Sequence, residues 1–196
     1  MKRYSSFIAL LLIIALVGLA GCTEKKPEQA KESPPNLTQG NPPVGENAVA
    51  GIEWTPPSGW NQAPPRPMRI VTYTVAAKEG EGGECAVFFF GGGEGGNIDA
   101  NIARWASQFD GSPEPKRSAR EVNGMKVTMV EIAGTYLSPG GPMMQSQGKK
   151  SNYRLLGAIV DAPEGSVFFK FTGPDKTINE AEDEFNELIG SLKKTG

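Results

Sequence analysis

Two short turns constrain this chain more than any other feature. Asn123-Gly124 stands between Arg120-Glu121-Val122 and Met125-Lys126-Val127, and Pro163-Glu164-Gly165 stands between the apolar runs 153–162 and 166–172. Asn-Gly accepts the two positive φ values of a turn whose twist matches that of paired strands, so the first site predicts a tight hairpin. The second predicts another. A connection of two or three residues can only return a chain antiparallel, because parallel pairing needs a crossover of a dozen residues or more. Whatever this chain folds into must contain an antiparallel sheet.

The rest of the pattern supplies more strands and two helices. Met68 to Ala76 alternates in the manner of a strand covered on both sides, and Glu84 to Phe90 reads as a nearly all-apolar central strand. Trp54 to Trp60 reads as a short edge strand running into a proline-glycine turn, with both tryptophans against the core. From Asn97 to Phe109 the residues Ile98, Ile102, Trp105 and Phe109 fall on one helical stripe, with Asn97 as N-cap. The terminal helix opens at Pro174 or at Thr177, whose spacing to Glu180 is that of a capping box, and carries the stripe Ile178, Ala181, Phe185, Leu188, Ile189 and Leu192. At 196 residues and 38% hydrophobic content there is room for one core. The expectation is a single α+β domain over 52–196, an antiparallel sheet covered by two helices.

The N-terminus carries a different signal. Lys2 and Arg3 precede an uncharged apolar run, Phe7 to Leu19, which suits a signal-peptide core and is too short for a span of ~20 residues. It ends in Leu19-Ala20-Gly21-Cys22, which resembles the bacterial lipobox at all four positions. That resemblance implies a signal peptide over 1–21, cleavage before Cys22, a lipid on the Cys22 sulfur and acylation of the new amino terminus. Stable anchoring to a membrane follows, since each buried methylene contributes ~0.8 kcal/mol. An uncleaved anchor or an ordinary secretory signal is the alternative. Thr23 stands where an aspartate would resemble an inner-membrane retention signal, so the implied address is the bacterial cell envelope, on the periplasmic face, with the outer membrane preferred. Residues 22–51, poor in apolar side chains and rich in Pro, Glu and Lys, read as a disordered tether reaching ~30 Å, or as a segment that folds on a partner.

Charge and composition exclude whole classes of chemistry. Removing residues 1–21 takes away two of the 20 basic residues and none of the 22 acidic ones, so the formal charge falls from −2 to −4. No basic stripe invites nucleic acid. The chain has no histidine, which removes Ser-His-Asp and Cys-His catalysis and histidine-ligated metals. Cys85, in Glu84-Cys85-Ala86-Val87-Phe88, reads as a buried strand residue in preference to a reactive thiol. Carboxylates show no calcium spacing, so neither metal nor cofactor is called for.

The run Phe88-Phe89-Phe90-Gly91-Gly92-Gly93-Glu94-Gly95-Gly96-Asn97 does satisfy the dinucleotide spacing G-x-G-x-x-G at Gly91, Gly93 and Gly96. With five glycines in six positions it satisfies almost any glycine spacing. Glu94 would set a carboxylate against the phosphate, and the Asn-Gly hairpin beyond the helix speaks against a parallel crossover. A turn with no nucleotide is the expectation. Two candidate surfaces remain. The loop from Ser138 to Asn152 carries Met143, Met144, Lys149 and Lys150, adaptable apolar and basic side chains suited to contact with an envelope protein, or simply a mobile tip. The carboxylates Asp99, Glu121 and Glu131 would have to carry any hydrolase-like chemistry, with a pKa raised by burial.

Taken together, the lipobox, the W-x-P-P-x-G-W opening at 54–60, the helix NIDANIARWASQF, the strand YRLLGAIV and the segment FFKFTGP resemble an uncharacterised family of bacterial lipoproteins. The P-x-G-W opening and terminal helix are also similar to the PsbP-like α/β sandwich of the photosystem extrinsic proteins. This second resemblance implies a fold and a non-catalytic binding or assembly role, and it carries no site residues over. The expected function is thus a membrane-anchored envelope lipoprotein with a non-catalytic binding or assembly module, with a carboxylate-based envelope hydrolase as the rival.

Overall fold

The computed structural model describes residues 47–93, 95, 97–137 and 148–195. The expected signal peptide, Cys22, most of the tether, Met143 and Met144 lie outside the described residues.

Both turns form as their residues require. Asn123 and Gly124 adopt φ of 50° and 72° and join β6 (Lys116–Val122) to β7 (Met125–Leu137), closing on the pair Val122–Met125. Pro163 and Glu164 join β8 (Lys149–Ala162) to β9 (Gly165–Pro174), closing on Ala162–Gly165. Upstream lie β1 (Ala48–Val49), β2 (Ile52–Glu53), β3 (Trp60–Gln62), β4 (Val71–Val75), β5 (Gly83–Phe88) and the helix α1 (Ile98–Ala106); downstream lie α2 (Asp175–Glu180), α3 (Glu182–Gly190) and β10 (Lys193–Lys194). Seven strands form one sheet in the order β3-β4-β5-β9-β8-β7-β6, and each of its pairs is antiparallel.

Alternation along the strands sends successive side chains to opposite faces. On one face Leu156, Ala158, Val160, Phe169 and Phe171 pack with Ile178, Phe185 and Leu188 of the terminal helices, with Leu192 just beyond them, and with Ile52 and Trp54. On the other, Val130, Leu155, Ile159 and Phe168 pack with Ile102, Trp105, Ala106 and Phe109 around α1. Neighbours Leu155 and Leu156 thus serve different cores. The helices lie on both sides of the sheet, and α1 covers the β7–β9 half of its side.

Several boundaries differ from expectation. Residues ahead of the expected start at 52 already belong to the body, because β1 pairs with β2 and buries Val49 and Ala50. The expected strand at 54–60 is a proline-rich connection: β2 pairs with β10, whereas β3 edges the large sheet. The terminal helix is two helices, broken at Ala181 (φ −108°, ψ 11°), so three helices are present among the described residues. The capping box at Thr177 does not form, since α2 already opens at Asp175 behind Pro174, the other expected start, and Thr177 lies inside it, its hydroxyl donating to the Glu81 carbonyl at 2.7 Å. Lys149 and Lys150 belong to β8 and not to a loop, because β7 and β8 pair as far as Leu137–Lys149.

Candidate functional site

The residues singled out in the sequence are not gathered into one site. Lys149 pairs with Asp110 at 2.6 Å, both side chains being more than half exposed. Lys150 Nζ donates to Glu81 Oε1 at 2.6 Å and to the Tyr153 hydroxyl at 3.0 Å, and that hydroxyl donates to the same Glu81 oxygen at 2.6 Å. The hydrogen bonds from Lys150 and Tyr153 hold the Glu81 carboxyl below its ordinary range. Among the rival carboxylates, Asp99 on α1 pairs with Arg117 at 2.5 Å, and Glu121 lies exposed on β6. Glu131 faces the opposite side of the sheet, where Arg154 Nη2 lies at 2.6 Å and Lys116 at 3.3 Å. Burial pushes the Glu131 carboxyl up, but the hydrogen bonds from Arg154 and Lys116 outweigh it and the net displacement is downward. A general acid needs the reverse.

A site the sequence reading passed over lies under α1. Lys170 stands on the α1 side of β9, between Ala86 of β5 and Gly157 of β8 in the ladder. Beside it lies a recess of about 140 Å3, walled by Phe88, Phe90, Trp105 and Phe168 and rimmed by Asn101, Arg104, Gln108 and Lys170. Gly157 is required here: a Cβ at this position would lie 2.3 Å from Cζ3 of Trp105, so the indole seats directly on the strand. The glycine run shapes the opposite wall. Gly91, Gly93 and Gly95 all take positive φ, turning the chain so that Phe90 stacks near Phe88 (6.2 Å) and tilts against Phe168 (5.8 Å). Asn101 Nδ2 pins that turn by donating to the carbonyl of Gly95 at 2.7 Å.

The run is therefore wall-building, and its surroundings are not those of a dinucleotide cradle. The side chain of Asn97 caps α1 through the Ala100 amide at 2.7 Å. Both neighbours of β5 are antiparallel to it, and the strand after α1 lies at the far edge of the sheet.

The electrostatics of the recess centre on Lys170. Its amine donates to Gln108 Oε1 and stands 5.6 Å from the ring centroid of Tyr136, which stacks on Tyr153 at 5.5 Å. Glu84, the acid across the neighbouring strand, is engaged by Arg66 at 2.8 Å and Arg69 at 2.6 Å. Among the described residues neither Lys170 nor Arg104 has a carboxylate partner. The Lys170 residue is half-buried. Desolvation, reinforced by Arg69 and opposed by Glu84, brings its pKa down to about 8. The signal was present in Val167-Phe168-Phe169-Lys170-Phe171, a lone cation inside an apolar strand.

A second cleft, about 290 Å3 between β6–β8 and α3, is lined by Lys116, Arg120, Glu131, Glu182 and Asn186. There Glu131 and Glu182 are held by Arg154 at 2.6 and 3.1 Å. Among the described residues no group of three or more His, Cys, Asp or Glu side chains is placed to hold a metal, and no helix is long and apolar enough to cross a membrane.

No protein-family model and no curated protein matches the chain. Among solved structures it is similar to the solution structure of cyanobacterial PsbP (CyanoP) from Synechocystis sp. PCC 6803, at 12% identity and a TM-score of 0.45, over 77% of this chain and 96% of that one.

Proposed function

We propose that this chain is an envelope lipoprotein whose body, a PsbP-like α/β sandwich, is a non-catalytic binding module held at a membrane face by acyl chains on Cys22, and that the Lys170 recess is where it binds. The observation that carries the binding half is a desolvated lysine amine facing an aromatic-walled cavity with no carboxylate partner among the described residues. Placing an unpaired cation there costs stability that an apolar side chain would not cost, and a concave apolar site with a few unspent polar groups is the common form of a small-ligand pocket. The anchoring half rests on the charged start, the short apolar run and Leu19-Ala20-Gly21-Cys22. The rival hydrolase reading draws no support from Asp99, Glu121 and Glu131, which are dispersed, two of them in ion pairs.

The two halves are tested separately. Mass spectrometry of the native protein is expected to find an acylated N-terminal Cys22, and Cys22→Ser to leave the membrane fraction; an unmodified thiol or an intact leader refutes the anchor. Saturation-transfer NMR with benzyl alcohol, benzoate and benzylamine is expected to show binding that the wall substitution Phe168→Ala alters. Failure of all three probes to bind refutes the recess as the site.

A further inference from the structure

Resting on that reading of the recess, we infer that its ligand is a small monocarboxylate with one compact apolar body, about the size of a single ring. Three observations narrow the class. The first is capacity: the recess offers about 140 Å3, and an apolar cavity of about 150 Å3 accepts benzene, so one ring or a short branched chain fits where a fused ring system or a long acyl chain does not. The second is the wall, four aromatic side chains whose faces favour an apolar body over a fully hydrated ion such as sulfate or phosphate.

The third is the inventory of unspent polar groups. Asn101 Nδ2 is committed to the carbonyls of Gly95 and Asn97, and Gln108 Oε1 accepts from Lys170 and from the Tyr136 hydroxyl. What is left at the rim is donors, with no acceptor on the same groups: the Gln108 Nε2 amide and two cations, the Lys170 amine and the Arg104 guanidinium. The nearby charges that bear on Lys170 are Arg69, which opposes a cation, and Glu84, which Arg66 and Arg69 already hold; Tyr136 presents its ring. A carboxylate placed at Lys170 would make a charge-assisted hydrogen bond in a water-poor setting, where such bonds are strongest. An amine at the same point would meet like charge.

The test is calorimetric titration of the full mature lipoprotein in nanodiscs, with empty nanodiscs as blank, against benzoate, benzyl alcohol and benzylamine at pH 7. Benzoate is expected to bind at least tenfold more tightly than benzyl alcohol, and benzylamine most weakly. Lys170→Met is expected to erase the preference for the acid while sparing the alcohol, and Lys170→Arg to keep it. Equal affinity for acid and alcohol in the unaltered protein overturns the carboxylate inference and leaves the recess as a binding site. Failure of all three to bind overturns both. The acid-alcohol comparison needs no variant, so a folding defect in Lys170→Met does not shield the inference.

Discussion

Gly157→Ala tests whether the indole of Trp105 is seated as described. The new Cβ would stand 2.3 Å from Cζ3, 3.0 Å from Cε3 and 3.1 Å from Cη2 of that ring. Carbon atoms rest at about 3.5–4.0 Å, so the ring must retreat by more than ~1 Å. Trp105 is 5% exposed and packed among the residues of the α1 core, where no soft side-chain tip can yield in its place. Overpacking of this kind costs typically 1–3 kcal/mol. For a body of this size, that is a fall in Tm of roughly 2–12 °C. Urea denaturation followed by tryptophan fluorescence and by circular dichroism gives the value. A double-mutant cycle isolates the cause: in a Trp105→Phe background the smaller ring leaves space, so the same alanine is expected to cost at least ~1 kcal/mol less. An unchanged midpoint for Gly157→Ala alone, or an equal cost in both backgrounds, refutes the seating and with it the shape of the recess.

Three further outcomes follow from the buried charges and the thiol. Lys170 carries a folded pKa of about 8 against an ordinary 10.5, so the folded chain sheds this proton first and stability gains as pH rises from about 8 to 10.5; relative to Lys170→Met, the gain is ~3 kcal/mol, read from urea melts at pH 7 and pH 10.5. Glu131 is displaced the other way, so its ion pair contributes stability above the ordinary carboxyl value of 4.5 that is lost as pH falls through the lowered native value; Glu131→Gln is expected to cost about 1–3 kcal/mol at pH 7 and to flatten the acid limb of the stability curve. Cys85 is fully buried and burial, with Glu84 adding to it, pushes its thiol up, so iodoacetamide is expected to label it only in denaturant, and native-state labelling would contradict the packing of β5.

What the residues announced, and what they withheld, divides along the range of the interactions. Asn123-Gly124 and Pro163-Glu164 specify their hairpins within a few residues, and the stripe from Ile178 to Leu192 specifies a helical face by its spacing alone, so these were legible. The break at Ala181 was not. Ala181 is buried at the break, and the propensities around it are those of a continuous helix. The capping box failed because the helix opens behind Pro174, the alternative the residues also offered, which leaves Thr177 inside the first turn and free to donate to a carbonyl 96 positions earlier in the chain. Asn47 was read by composition as tether, whereas its side chain accepts from the Tyr73 hydroxyl and its carbonyl from the Trp54 amide at 3.0 Å. The recess is the clearest case. A lysine between two phenylalanines stands out in one dimension, but its meaning requires the register that sets Ala86 and Gly157 beside it and the packing that lays Trp105 over Gly157.

The most direct test of the central claim is the titration of Lys170 itself, followed by its side-chain 13Cε resonance in selectively labelled protein, with and without benzoate. The amine is expected to titrate near 8 in the free protein and to move upward by at least a full pH unit when the acid occupies the recess, because a neighbouring carboxylate favours the charged form. A free-protein value near 10.5 that benzoate leaves unmoved would contradict both the burial of the amine and its role in binding.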